Sequence, residues 1–352
     1  MNPGSIWWGQ IGNSLRFLTN VTNHLRDCQS AVLRVPCNLP WRRDFYEAID
    51  IRRSAFSGER RLVRLQWEES ADPGAFILEE LCSSRVRADY WPGLTYAEYL
   101  GSKPELMMND YYIWVTGIHS KADLSRWGEF VNRYHHAAKE LETSAVFLLE
   151  YDGVNADVSG VEKIVYTVEN YDCRVFCLET ASALNNTNLR DYQAELAQHI
   201  GAGDPELCAA LLSAGTDLLQ DPVKTAQHII STKVNSESGA YTQKTDQQIT
   251  SAAWNAAIVL LFPMIEHYRL DFVGRHEAAL SRHLPISNSN GDRITDPCDL
   301  ELGPIHYIIG TAEKEFAADE ADNIRLCRKA RNLLAHNRPL PYHMVLKIVT
   351  LE

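Results

Sequence analysis

No glycine-rich phosphate loop, no zinc-type cysteine spacing and no Gly-x-Ser-x-Gly elbow occurs anywhere in the 352 residues. Each absence removes a class of chemistry: backbone amides cradling a nucleotide, a structural metal finger, and an α/β-hydrolase nucleophile. The cysteines are scattered at 28, 37, 82, 173, 177, 208, 298 and 327, so no disulfide framework is expected, and neither is a metal. Only Cys173 and Cys177 are close, on what reads as one strand. There is no basic leader followed by an apolar core, and no apolar run approaches the roughly 20 residues that cross a bilayer. A cytoplasmic chain with no membrane partner is therefore expected. Positive charge is also short: 34 Lys and Arg against 46 Asp and Glu give a formal net charge of -12, which argues against a general basic coat for nucleic acid.

The apolar fraction is 45%, with 8 Trp, 15 Tyr and 10 Phe, ordinary for a chain that buries sizeable cores. At this length two or three domains are expected. Residues 1–185 alternate short apolar runs with helical stretches. The strands predicted are Ala31–Val35, Arg61–Trp67, Tyr112–Thr116, Ala145–Glu150, Lys163–Val168 and Cys173–Glu179. Near-continuous apolar strands alternating with helices predict a mostly parallel α/β sheet covered on both faces. Residues 186–235 read as a small helical subdomain, in which Leu189–Ile200 ends at Gly201-Ala-Gly203 and Asp204-Pro205 starts the next helix. A linker at Asn235–Asp246 follows. The stretch 247–352 reads as an all-helical domain with a long first helix, Gln247–Val273, and two later ones at Leu300–Gly310 and Ala318–Asn337, separated by a loop at Leu284–Pro297.

The strand–loop–helix order of the first region resembles a degenerate STAND or related P-loop nucleoside triphosphatase. In that layout the first strand would feed a Walker A loop, but here Ala31–Val35 runs into Pro36-Cys37-Asn38-Leu39-Pro40-Trp41-Arg42. Two prolines remove two N–H donors, no glycine permits close approach, and no lysine stands at the phosphate position. Tyr112-Ile-Trp-Val-Thr-Gly117 ends without an acidic pair for magnesium, although Glu150 and Asp152 end the next strand. His135 and His136 point about 100° apart on a helix and cannot share a metal; one is expected packed and one in solvent. Trp41, Trp67, Trp91, Trp114 and Trp127 follow no nucleic-acid motif and are expected to be core and contact residues.

The segment Arg331-Asn332-Leu333-Leu334-Ala335-His336 carries the chemistry most worth testing. It resembles the Arg-x(4–6)-His signature of the HEPN superfamily, in the form with a polar residue after the arginine, and the resemblance spans residues 247–352. It implies a helical bundle that dimerises and a metal-independent endoribonuclease of toxin–antitoxin or antiviral systems, needing no cofactor and taking RNA as substrate. The residue types suit that reaction. An RNA 2′-hydroxyl attacks its own phosphate when a group of near-neutral pKa moves protons and a cation stabilises the phosphorane. His336 fits the first role and Arg331 the second, with Asn332 orienting the histidine or binding the backbone. Arg328, Lys329 and Arg338 supply a local basic neighbourhood for RNA. Arg331 and His336 are about 140° apart around a helix, whereas Asn332 and His336 share a face, so convergence on one phosphate requires a second copy, as the resemblance implies.

A structural account of the same residues competes with this one. Arg331 pairs with Glu301 or Asp322, His336 ends its helix, and Glu266, His267, Arg269 and Asp271 form the polar face of an amphipathic helix. Two functions follow from the residues. One is a HEPN-type ribonuclease whose N-terminal region is regulatory. The other is a non-catalytic scaffold or regulatory subunit, homo- or hetero-oligomeric with other defence subunits, built on a degenerate STAND-like domain.

Overall fold

The computed structural model describes residues 2–56, 60–68, 72–182, 189–233, 236–237, 239–287 and 291–351. Asn235 and Ser238 of the expected linker and residues 288–290 of the expected loop lie outside them. The chain divides into two compact units, one of residues 2–168 and one from Glu169 onward.

The first unit carries α1 (Pro3–Gln10), α2 (Gly12–Arg26), β1 (Ala31–Arg34), α3 (Arg42–Ser54), β2 (Arg61–Gln66), α4 (Pro73–Leu81), α5 (Ser84–Ala88), α6 (Tyr96–Gly101), β3 (Tyr111–Ile118), α7 (Lys121–Ala137), β4 (Val146–Tyr151) and β5 (Glu162–Val165). All five strands join one sheet in the order β2-β3-β4-β1-β5, and every neighbouring pair is parallel. The strand alternation sorts side chains between two cores. Ile113, Val115, Phe147 and Leu149 face a cluster with Trp67, Trp127 and Tyr134. Trp114 turns to the opposite face, where its ring meets Phe45 and Tyr46 of α3 at centroid distances of 5.4 and 5.0 Å. The helices bury matching stripes, Leu124, Trp127, Val131 and Tyr134 on α7 and Phe17, Leu18, Val21 and Leu25 on α2. Each such large side chain contributes about 1.5–3 kcal/mol on burial. His135 is half-buried and its Nε2 lies 2.8 Å from the Ser30 hydroxyl, while His136 is exposed, as their angular separation predicts. Burial lowers the His135 pKa. Trp91 departs from expectation: it is 72% exposed, whereas Trp41, Trp67, Trp114 and Trp127 are buried.

The second unit carries α8 (Asn170–Ser182), α9 (Arg190–Gly201), α10 (Pro205–Ser213), α11 (Thr216–Gln220), α12 (Pro222–Thr232), α13 (Asp246–Arg275), α14 (Glu277–Ser281), β6 (Ile286–Ser287), β7 (Arg293–Ile294), α15 (Leu302–Thr311), α16 (Ala318–Ala335) and α17 (Tyr342–Ile348). The expected strand at Cys173–Glu179 is instead part of α8. Its local composition suits a strand, but Cys173, Phe176, Cys177 and Ala181 recur at helical spacing and are all buried, and packing on α9 and α10 decides the outcome. The expected all-helical C-terminal region also holds one antiparallel ladder, β6 with β7.

Helix starts follow the local code. Asp204 caps α10 by accepting from the Leu207 N–H at 3.0 Å, and Thr245 and Gln248 form a reciprocal capping box at the start of α13. Helix α13 runs 30 residues through Pro263. By length and composition it is apolar enough to cross a membrane, a point that counting uninterrupted apolar residues missed. It packs on α9, α12, α16 and α17, and 39% of its most apolar stretch is buried.

Candidate functional site

At the carboxyl ends of parallel strands, where open α/β sheets bind ligands, the first unit has a crevice of about 460 Å³. Its geometry follows from the loop after β1. Val35 continues the pairing by donating its N–H to the Tyr151 carbonyl at 3.0 Å, and the Pro40 carbonyl is then held by the Trp8 indole N–H at 2.9 Å. Trp41 sits in the left-handed region at φ 42°, is buried, and packs its ring 6.1 Å from Trp7. A left-handed non-glycine residue costs on the order of 1–2 kcal/mol, which the packing of this ring offsets. The loop is therefore fixed by tryptophan packing where a phosphate loop would wrap an anion with glycine amides.

Immediately after it, at the start of α3, Arg42 turns its guanidinium onto Glu150 at the end of β4. Glu150 is only 4% exposed. A buried carboxylate is tolerated when charge and hydrogen bonds are both matched. Here the Tyr46 hydroxyl and the Trp114 indole N–H each donate to Glu150 Oε2 at 3.1 Å, and Arg42 supplies the countercharge. Arg42 also donates to the Cys37 carbonyl at 3.2 Å. Burial opposes the Arg42 charge, but Glu150 and Tyr46 outweigh it and its pKa rises. Burial, then the nearby Glu150, pushes Tyr46 up to about 12. Arg64 closes another side, paired with Asp50 at 2.7 Å and stacked over Tyr46 and Trp114 at 4.8 and 5.4 Å.

Near the end of β3, Gly117 takes φ 81°, and a Cβ there would meet the Gln66 amide at 2.2 Å and the Trp67 carbonyl at 2.8 Å, so only glycine fits. The strand then delivers His119, whose Nδ1 lies 2.8 Å from Asp152 Oδ2. The residues at the end of β3 thus provide an imidazole and no carboxylate pair. Among the described residues no group of three or more His, Cys, Asp or Glu side chains is arranged to hold a metal ion.

The second unit has a groove of about 940 Å³ between α15, α16 and the β6–β7 ladder. Arg328, Arg331 and Asn332 line it, opposite Tyr307 and beside Asp299 and Glu301. Arg331 reaches Glu301 at 3.3 Å, with 41% and 67% of their side chains exposed, while Asp322 pairs with Arg325. His336, Lys329 and Arg338 are exposed and are not among the residues lining the groove.

His336 is the C-cap of α16, Asn337 follows at φ 55°, its N–H reaching the Leu334 carbonyl at 3.1 Å, and the Arg338 N–H reaches the Leu333 carbonyl at 3.0 Å. That is the Schellman arrangement, with Pro339 next to stop the helix. The Trp254 indole N–H holds the Leu334 carbonyl at 2.8 Å. The structure therefore brings together Arg328, Arg331 and Asn332 and leaves His336 at the helix end. Glu266 pairs with Arg269 at 2.8 Å, and Asp271 with Arg275 at 3.1 Å, on the polar face expected for α13.

Sequence reasoning passed over the Arg42–Tyr46–Glu150–Trp114 network. Its signal was a glutamate closing the apolar run Val146–Leu149, which must find partners if that strand is central. It also passed over His306 on α15, whose pKa burial lowers first and Arg328 and Arg325 lower further.

No family model and no curated protein matches the chain. Among solved structures the chain is similar to the crystal structure of Cdc6p from Pyrobaculum aerophilum, with a TM-score of 0.39 and 11% identity over 97% of this chain and 94% of that one. A likeness that low carries no argument about fold or function. What stands on the geometry is a five-stranded parallel sheet flanked by helices, followed by a mainly helical unit.

Proposed function

We propose that this chain is a non-hydrolysing scaffold or regulatory subunit, built on a P-loop-like core that does not turn over nucleotide, within a bacterial defence assembly. The observation that carries the reading is the pairing of Arg42 with the buried Glu150, directly after a loop with two prolines and no glycine. A fold that spends its first helical turn neutralising its own carboxylate has no free cation there for a phosphate. The defence setting follows from the HEPN resemblance of the C-terminal region.

A partner on α13 belongs to the same reading. Val259, Phe262 and Leu270 of α13 are exposed apolar side chains, at 44%, 36% and 52%, beside the polar face of the same helix, and a partner would cover them. Calorimetric titration with MgATP, beside a phosphate-release assay, tests the proposal. No saturable heat and no release are expected; magnesium-dependent binding or turnover would overturn it.

One observation favours a second reading, a metal-independent endoribonuclease: Arg328, Arg331 and Asn332 share one groove. In that reading Arg331 stabilises the phosphorane, His336 moves the proton, Asn332 orients it, and Lys329 and Arg338 hold RNA from outside the groove. A second copy would have to supply the convergence that one helix lacks. Incubation with a pool of structured and single-stranded RNAs in EDTA decides it. Products ending in 2′,3′-cyclic phosphate, absent with Arg331→Ala and with His336→Ala, would replace the scaffold reading.

A further inference from the structure

Two residues of the groove in the helical unit have no role in either reading, Tyr307 of α15 and Arg293 of β7. Tyr307 is 67% exposed, and among the described residues its ring stacks on no other and its hydroxyl has no hydrogen-bond partner. One turn earlier on the same face, Gly303 also lines the groove, and a Cβ there would meet nothing within 4 Å, so space is open beside the ring. Among the described residues Arg293 forms no ion pair, and neither does Arg328, which shares a face of α16 with Arg331.

These cations do not make a general anion trap, because Asp292, Asp299 and Glu301 line the same groove. Glu301 holds Arg331 at 3.3 Å through a contact open to water, which an incoming anion can displace. Arginines and carboxylates mixed beside a free aromatic ring match a strand in which phosphates alternate with hydroxyl-bearing sugars and carry planar bases. An arginine fork meets phosphate oxygens, a carboxylate accepts from a ribose 2′-hydroxyl, and a tyrosine ring stacks on a base. A duplex offers no such base, since its bases are already stacked and paired.

We propose that Tyr307 is a base-stacking residue and Arg293 a second phosphate contact, and that together they make the groove selective for single-stranded RNA. Arg328 and Arg331 hold one phosphate from the α16 side, Arg293 meets a neighbouring one from the ladder, and Asp299 accepts from a 2′-hydroxyl. The inference rests on the ribonuclease reading for its choice of RNA but not for cleavage, since His336 is not among the residues lining the groove. A strand held this way serves a subunit that only binds as well as one that cuts.

The test is fluorescence anisotropy of the full chain in EDTA with a short single-stranded RNA, the same sequence as a blunt RNA duplex, and the same sequence as single-stranded DNA, across a salt series. The single-stranded RNA is expected to bind tightest. Tyr307→Ala should weaken it on the order of tenfold, within what one stacked base contributes, and leave the salt dependence unchanged. Tyr307→Trp, which keeps a stacking ring, should restore binding. Arg293→Ala should instead lower the slope of log affinity against log salt by about 0.7, the share of one phosphate on a single strand. Both side chains are exposed, so their truncation spares the core. Product ends are read in the same samples: binding without cleavage ends the ribonuclease reading and supports this one. Cleavage of single strand and duplex alike, untouched by Tyr307→Ala, would keep that reading and overturn this one. No binding of single-stranded RNA, equal affinity for the duplex or the DNA, or affinity unchanged in Tyr307→Ala would likewise overturn the proposal.

Discussion

Two arginine–glutamate pairs, one in each unit, show how differently the same chemistry is used. In the α/β unit, Glu150 is nearly sealed and receives Arg42, Tyr46 and Trp114, so every partner is needed. In the helical unit, Arg331 and Glu301 meet at 3.3 Å with much of both side chains in water. A buried carboxylate deprived of its cation keeps the cost of burial, whereas an exposed pair exchanges protein contacts for water at little cost. The first pair is therefore part of the fold. The second leaves Arg331 able to change partners, which is what a ligand-binding arginine requires.

Removing the half-buried cation that faces the buried Glu150 should have the largest effect. Arg42→Ala is expected to lower unfolding free energy by about 2–3 kcal/mol, below the roughly 3–5 of a fully buried pair because its side chain is 35% exposed. Urea unfolding measures it, and adding Glu150→Gln should recover part of the loss. A cost under about 0.5 kcal/mol would erase the contrast between the two regions.

Raising pH attacks the same network from another side. Tyr46 titrates at about 12 in the fold against 10.0 ordinarily. Its folded pKa is raised, so its contribution is fully present below pH 10 and is lost as pH rises through about 12. Thermal melts from pH 9 to 12 should fall over that window, with a shallower slope in Tyr46→Phe. Tyr134 and Tyr192, also raised to about 12 by burial, contribute to the slope that remains, as do Tyr241 and Tyr268, which burial raises in the same direction.

Smaller effects are expected in the helical unit. Asn337→Gly should stabilise α16 by about 0.5–1 kcal/mol, because glycine adopts the left-handed C′ position without the Cβ penalty; a loss of stability would contradict the cap assignment of His336-Asn337-Arg338. Smallest of all, Glu301→Ala should change stability by less than about 0.5 kcal/mol in thermal or urea unfolding. A loss matching that of Arg42→Ala would instead make the groove pair as much a part of the fold as the crevice pair.

Much of the sheet was legible because its strands are short apolar runs bounded by breakers. Ala31–Arg34 and Val146–Tyr151 fall where those runs do, and β2, β3 and β5 overlap theirs. Helix α8 was not legible as a helix. Cys-Arg-Val-Phe-Cys-Leu carries both a strand-like composition and a helical stripe, and the choice between them lies in neighbours α9 and α10, which a local window does not contain. The loop at 36–41 was legible as one unfit to hold phosphate. That Arg42 of the following turn would answer Glu150, 108 residues on, was not.

The C-terminal motif illustrates the same limit. Its residues drew attention through their order, yet Arg331 takes its direction from Glu301 on another element, and His336 from the end of its own helix. The sequence by itself determined most of the elements, α8 and the β6–β7 ladder excepted, along with several helix caps and the absence of a Walker A motif, since these depend on backbone preferences and residues within a few positions. Only the tertiary structure decided which charges are sealed and which remain open to a ligand, because burial and partner choice are properties of elements brought together from far along the chain.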